Sequence, residues 1–95
     1  MQVRREFIIR YQKDPYFKES CLGCFVRYYK RDVGSYFMCE IVDVIKRAQY
    51  AVPSGGYAEV AFVVAIGGVK LPRPVKVTDI SNSRLNEAEL TEYLR

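Results

Sequence analysis

The apolar run EVAFVVAI, from Glu59 to Ile66, constrains the fold of this chain more than any other segment. A continuous run of mostly β-branched and aromatic residues is typical of a buried strand, so this segment is predicted to form the centre of the core. The chain has 95 residues, which leaves room for one hydrophobic core. We therefore interpret it as a single domain built around this strand.

The other segments are short and are separated by residues that favour turns. Two helices are predicted first, over Arg4–Lys13 and over Pro15–Ser20, the second capped by Asp14. Strands are predicted over Cys24–Lys30, Tyr36–Ile45 and Gln49–Val52 before the apolar strand, and over Val75–Ile80 after it. A final helix is predicted to be capped by Asn86. A hairpin connection is predicted at Asp32–Ser35. This order predicts an α+β fold in which an antiparallel sheet curls into a small β-barrel flanked by short helices.

Charge and composition narrow the classes of function. The net charge of +4 favours anionic partners such as nucleic acid, phosphopeptides or acidic proteins. The chain has no histidine, which removes the most common general base and the most common metal ligand. Glu40 and Asp43 would point to opposite faces of one strand because their spacing is odd, so they do not form a catalytic pair. We therefore expect no enzymatic activity and no cofactor.

The three cysteines are interpreted as small buried thiols. Cys21 and Cys24 have the spacing of a zinc knuckle or a redox pair, and Cys39 is the only other thiol. A structural zinc site needs more ligands than these, and a thioredoxin-like site needs a βαβ unit, so we expect no metal. An odd number of cysteines also favours a reducing compartment. The longest apolar run, Val60–Gly68, is too short to cross a bilayer, and no secretory signal or membrane contact is expected.

Arg27 lies inside GCFVRYYKR, a segment that is otherwise typical of a buried strand. In a strand, Phe25, Arg27 and Tyr29 share one face, so the guanidinium is flanked by aromatic rings and partly desolvated. A partly buried charge is costly without a group of opposite charge. That group is either Glu40 across the hairpin or an anion supplied by a ligand, and the residues alone leave both open.

Arg73 lies between Pro72 and Pro74. The prolines have fixed φ angles, and Pro74 biases Arg73 toward extended geometry. An arginine on so stiff a support loses little backbone freedom when it binds an anion. A solvated loop charge is the alternative, and the residues alone favour it.

Aromatic residues lie next to basic ones at Tyr28–Arg31 and again at Tyr36–Phe37. Such a pattern would suit single-stranded nucleic acid, whose bases stack on rings while its phosphates contact cations. In so small a sheet most of these rings are needed for the core, and this is the interpretation that we favour. A third possibility, a Tudor-like module that binds methylated tails, would require three rings to converge in an aromatic cage.

Several short motifs follow one another along nearly the whole chain. They are PYF at Pro15–Phe17, GCFVR at Gly23–Arg27, YFMCEI at Tyr36–Ile41, the apolar strand ending in Gly67, Arg73 before VKVTDISN, and NEAELTEYL at the start of the last helix. This order resembles the Plus-three domain, which is found in an elongation factor associated with the Paf complex of eukaryotic RNA polymerase II. The combination of PYF and GCFVR at their fixed distance is the most specific part of the resemblance.

The resemblance implies a Tudor-like β-barrel flanked by helices and a role as a binding module in the nucleus. The implied partner is the phosphorylated C-terminal repeat region of the large subunit of DSIF, the eukaryotic relative of NusG, and binding would recruit the Paf complex to elongating polymerase. The implied phosphothreonine pocket is formed by Arg5, Arg27 and Arg73. Binding of single-stranded DNA or RNA at the transcription bubble is the alternative function.

Accessory contacts to peptide or nucleic acid are expected from Lys76, Phe37 and Tyr29. Two of the nearby positions depart from the family pattern, since Phe37 is often basic in relatives and Asp79 stands where a hydrophobic residue would help to hold the peptide. The loop over Lys30–Asp32 is also shorter. The peptide preference is therefore expected to differ even if the phosphate pocket is intact.

Residues 1–95 are expected to form one Plus-three-like domain excised from a larger protein, because the sequence stops at Arg95 within a predicted helix. Other parts of that parent protein would contact the Paf complex.

Overall fold

The computed structural model of the chain describes residues 2–53 and 55–83, so the predicted helix beginning at Asn86 lies outside the described residues. Two short helices are followed by an antiparallel sheet. The elements in chain order are α1 (Arg5–Tyr11), α2 (Phe17–Cys21), β1 (Phe25–Lys30), β2 (Ser35–Ala51), β3 (Tyr57–Ile66), β4 (Val69–Lys70), β5 (Val75–Lys76) and a 3₁₀ helix (Val77–Asp79). The predicted α+β class and the antiparallel sheet are confirmed.

The strands pair in the order β1-β2-β3-β4, and β5 also pairs with β3. A single bridge between Tyr28 and Ile80 brings the chain that follows the 3₁₀ helix back to β1. The strands among residues 2–53 and 55–83 do not otherwise join the two edges of the sheet, so the sheet is not closed into a barrel. The Tudor-like barrel therefore stays a prediction.

The core is centred on β3, as the run EVAFVVAI predicts. Phe62 is completely buried, and its ring centroid lies 6.3 Å from that of Phe17 in α2. Ile8 of α1 and Val26 of β1 are also completely buried and belong to the same hydrophobic cluster. The two helices therefore cover the strand that sequence periodicity places at the centre.

The predicted strands over Tyr36–Ile45 and Gln49–Val52 are one continuous strand, β2, and the prediction of a break was wrong. The pairing of β2 with β3 shifts register at two places, between Ile41 and Asp43 and between Lys46 and Tyr50. Such bulges bend a strand and increase its twist without ending it. The polar residues after Ile45 interrupt the apolar pattern, whereas the backbone ladder resumes beyond them.

Two further boundaries differ from prediction. α2 begins at Phe17 and Asp14 is not its N-cap, because the Asp14 carboxylate accepts the N–H of Tyr16 and forms a turn before the helix. The strand predicted over Val75–Ile80 ends at Lys76. The next N–H, of Val77, donates to the hydroxyl of Tyr50 at 3.0 Å, and the chain turns into the 3₁₀ helix.

All three cysteines are free thiols. Cys21 and Cys39 are buried as predicted, and burial raises the pKa of each thiol to about 12, whereas Cys24 is only half-buried. No group of histidine, cysteine or acidic residues in the described part of the chain could hold a metal ion. None of the described helices is long and apolar enough to span a membrane.

A candidate anion-binding groove

An open groove of about 500 Å³ lies beside the β1–β2 hairpin. It is enclosed by parts of the chain that are far apart in sequence: the start of α1, the hairpin, and the segment that follows β5. Its lining residues are Arg5, Tyr29, Arg31, Tyr36, Thr78, Asp79, Ile80, Ser81, Asn82 and Ser83. We call this site the arginine groove.

A pair of tyrosines forms the wall of the arginine groove on the sheet side. Tyr29 and Tyr36 are directly opposite each other in the β1–β2 ladder, and their rings meet edge to face with centroids 5.0 Å apart. Gly34 has a φ of +75°, which allows the chain to turn into β2. Because Val26 faces the core, strand alternation directs Tyr29 to the opposite face of β1.

Arg27 is held against this wall. Its guanidinium carbon lies 3.9 Å from the centroid of the Tyr36 ring, and its Nη1 donates to the Ser81 hydroxyl at 3.0 Å. The carbonyl of Arg27 accepts the N–H of Ser81 at 2.8 Å. Met38 is directly opposite Arg27 in the ladder, and Glu40 lies diagonal to Arg27, opposite Phe25. The backbone carbonyl and the guanidinium group of Arg27 therefore both contact residues that line the groove.

Arg31 and Asp79 form an ion pair inside the groove. The Nε and Nη2 atoms of Arg31 both donate to Oδ1 of Asp79, at 3.1 and 2.8 Å. Arg31 was not predicted as a site residue, although it belongs to the basic end of GCFVRYYKR. Its position became significant only when the fold brought the hairpin turn next to the 3₁₀ helix.

The segment after the 3₁₀ helix also positions α1. The side-chain oxygen of Asn82 accepts the N–H of Glu6 at 2.9 Å, and so takes the place of a capping side chain at Arg4. The Ser81 hydroxyl accepts the N–H of Ser83 at 3.0 Å. The bond to Asn82 joins the start of α1 to this segment, and Arg5 lies at the edge of the groove.

The structure brings together some of the predicted site residues and separates others. Arg5 and Tyr29 line the groove, and Arg27 contacts its wall. The other predicted residues are not among the described lining residues: Arg73 lies in the exposed turn between β4 and β5, the Lys76 ammonium lies 5.5 Å from the centroid of the Tyr50 ring, and Phe37 packs against the hydrophobic core.

The arrangement is chemically suited to an anion. Arg5, Arg27 and Arg31 lie in or against the groove, whereas Asp79 is the sole carboxylate among its described lining residues. Planar guanidinium groups match the oxygens of phosphate or carboxylate well. An aromatic cage is not formed by the described lining residues, because they contribute only two rings and Arg27 already covers one face of Tyr36.

A second groove lies near the end of α1, and its cations are differently engaged. Lys18 contacts Asp43 at 3.0 Å, and this hydrogen bond lowers the pKa of the carboxyl. Lys13 is 3.9 Å from Glu59. Lys18, Lys13 and Arg47 line this groove, which shares no lining residue with the arginine groove. It therefore provides charge-matched positions for control variants.

Comparison with protein families gives one match. A family model described as the Plus-3 domain matches residues 1–95. No curated protein matches the chain significantly.

Proposed function

The chain belongs to the Plus-3 domain family, and on this basis we propose that it is a phosphothreonine-peptide-binding module of transcription elongation. Membership of the family makes it a transcription-related module. The proposed ligand is the phosphorylated C-terminal repeat region of the DSIF large subunit. Binding would recruit the Paf complex, contacted by other parts of a parent protein, to elongating RNA polymerase II in the nucleus.

The observation that carries the proposal is the convergence of arginines from three elements on one groove. Arg5 comes from α1, Arg27 from β1 and Arg31 from the hairpin turn. A phosphate group has three acceptor oxygens and can accept hydrogen bonds from several guanidinium groups, whereas a carboxylate has only two oxygens. A threonine phosphate in the groove is proposed to contact Arg5, Arg27 and Arg31.

The fixed position of Arg27 supports the same proposal. Stacking on Tyr36 and bonding to Ser81 restrict the side chain before any ligand arrives. A pre-oriented side chain loses less conformational entropy on binding than a freely rotating one. Arg73 and Lys76 are outside the described lining of the groove. The role of Arg73 as a third phosphate ligand stays a prediction, and Lys76 is proposed as an accessory contact to the peptide.

Calorimetric titration with a threonine-containing DSIF repeat peptide, phosphorylated and unphosphorylated, tests the proposal. Arg5→Gln should weaken binding of the phosphorylated peptide by roughly tenfold, because a charge-assisted hydrogen bond is lost. Arg47→Gln is the matched control, since it removes the same charge from the other groove. Equal binding of the two peptides, or equal losses in the two variants, would contradict the proposal.

Single-stranded nucleic acid is a second candidate ligand, and the tyrosine wall favours it. Tyr36 is 42% exposed and lines the groove together with Tyr29, Arg5 and Arg31. A base could therefore stack on the exposed part of the Tyr36 ring. Nucleic acid bound through many phosphates would lose affinity steeply as salt rises. A phosphopeptide would instead lose nearly all its affinity when its single phosphate is removed, and this difference separates the two candidates.

A further inference from the structure

The arginine groove contains its own anion. Asp79 is the only carboxylate among the described lining residues, and Arg31 already donates to it twice. We propose that Asp79 competes with the ligand phosphate for Arg31 and thereby lowers the affinity of the groove. This inference rests on the proposed phosphopeptide function and extends it by naming a residue that sets the strength of binding.

The two partners differ in how firmly they are held. The side chain of Asp79 is 22% exposed, whereas that of Arg31 is 77% exposed. Asp79 ends the 3₁₀ helix, which is anchored by the bond from the Val77 N–H to the Tyr50 hydroxyl. Arg31 lies in the hairpin turn, and its guanidinium group is at the end of a long flexible side chain. We therefore expect the Arg31 side chain to move when the ligand binds, while Asp79 keeps its position.

Because Arg31 is exposed, replacing Asp79 by a phosphate as its partner costs little free energy. Ion pairs at the protein surface contribute little free energy, because water competes for both groups. A phosphate with a higher charge and more oxygens can therefore displace the carboxylate from Arg31. After the exchange, the Asp79 carboxylate remains close to the phosphate without its former partner. Asp79 thus opposes binding in two ways, by occupying Arg31 beforehand and by repelling the bound phosphate afterwards.

The Asp79→Asn variant tests the competition, because it removes the charge and nearly preserves the shape. We expect it to bind the phosphothreonine peptide roughly three- to tenfold more tightly than the wild-type chain. In an Arg31→Ala background the gain from Asp79→Asn should be clearly smaller, because the released Arg31 accounts for much of it and only the loss of repulsion remains. Asp43→Asn is the matched control: it removes the same charge from the Lys18 pair outside the groove, and should change affinity little.

A second measurement examines the ion pair without any peptide. In the ligand-free wild-type chain, the NMR signal of the Arg31 Nε–H should report its hydrogen bond to Asp79, and Asp79→Asn should shift that signal toward the position of a solvated arginine. An Arg31 Nε–H signal at the same position in both chains would overturn the inference by itself.

The combined results separate this inference from the proposed function. If the wild-type chain binds the phosphopeptide and Asp79→Asn binds no more tightly, the competition is refuted and the proposed function stands. If Asp79→Asn lowers the stability and leaves affinity unchanged, the ion pair only links the hairpin to the 3₁₀ helix. If neither protein binds the phosphopeptide, the proposed function fails, and the competition fails with it.

Discussion

Removal of a single oxygen atom from Tyr50 tests how the sheet supports the 3₁₀ helix beside the arginine groove. The Tyr50 hydroxyl donates to the carbonyl of Val60 at 2.7 Å and accepts the N–H of Val77 at 3.0 Å. Val77 is completely buried and begins the 3₁₀ helix that ends at Asp79. The variant Tyr50→Phe keeps the ring and leaves this buried N–H without its partner.

The expected cost follows from these two bonds. A buried N–H that loses its partner costs about 1–3 kcal/mol, and loss of the bond to Val60 adds about 1 kcal/mol. The free energy of unfolding should therefore fall by about 2–4 kcal/mol, a large part of the roughly 5–15 kcal/mol that stabilises a typical domain. In urea denaturation the midpoint should drop by at least about 1 M.

The control for this experiment is Tyr57→Phe, because Tyr57 is 59% exposed. Its midpoint should stay close to that of the wild-type chain, with a change within about 0.5 kcal/mol. Amide hydrogen exchange at Val77 should accelerate in Tyr50→Phe alone. If Tyr50→Phe proves as stable as Tyr57→Phe, the Tyr50 hydroxyl does not support the 3₁₀ helix.

Three further predictions concern the thiols and the core. Burial raises the pKa of Cys21 and Cys39 from 9.0 to about 12, so the folded chain keeps protons that the unfolded chain loses. Their contribution to stability is complete below pH 9 and should be lost as the pH rises toward 12, as denaturation at a series of pH values would show. At pH 8 a thiol reagent should modify the half-buried Cys24 much faster than the other two, and equal rates would contradict this burial. Phe62→Ala should lower the free energy of unfolding by about 3–5 kcal/mol in urea denaturation. Val69→Ala, at an exposed position, should change it by less than about 0.5 kcal/mol, and similar losses in both would contradict the central position of Phe62.

The features that sequence patterns predicted are those that depend on near neighbours. The strand β3 begins within a few residues of the predicted start at Glu59, because its apolar run must be buried wherever the rest of the chain lies. Strand alternation likewise predicted that Arg27 and Tyr29 share a face. The structure adds that Tyr36, on the neighbouring strand, is the ring that Arg27 stacks on.

The features that patterns missed depend on distant partners. The predicted strand ends before Val77 because the Val77 N–H donates to the hydroxyl of Tyr50, which is 27 residues away. Arg31 and Asp79 are separated by 48 residues, and nothing in either local segment indicates the other. Continuity of β2 through its bulges likewise depends on pairing with β3. Such contacts are set by the folded arrangement and have no local pattern.

An NMR titration would show whether the arginine groove is the site of phosphate-dependent peptide binding. Backbone amide signals of the chain would be followed while the phosphorylated DSIF repeat peptide is added. We expect shifts concentrated at Arg5, Tyr36 and residues 81–83, and no such shifts with the unphosphorylated peptide. Shifts centred instead on Lys18 and Arg47 in the second groove, or identical shifts with both peptides, would contradict it.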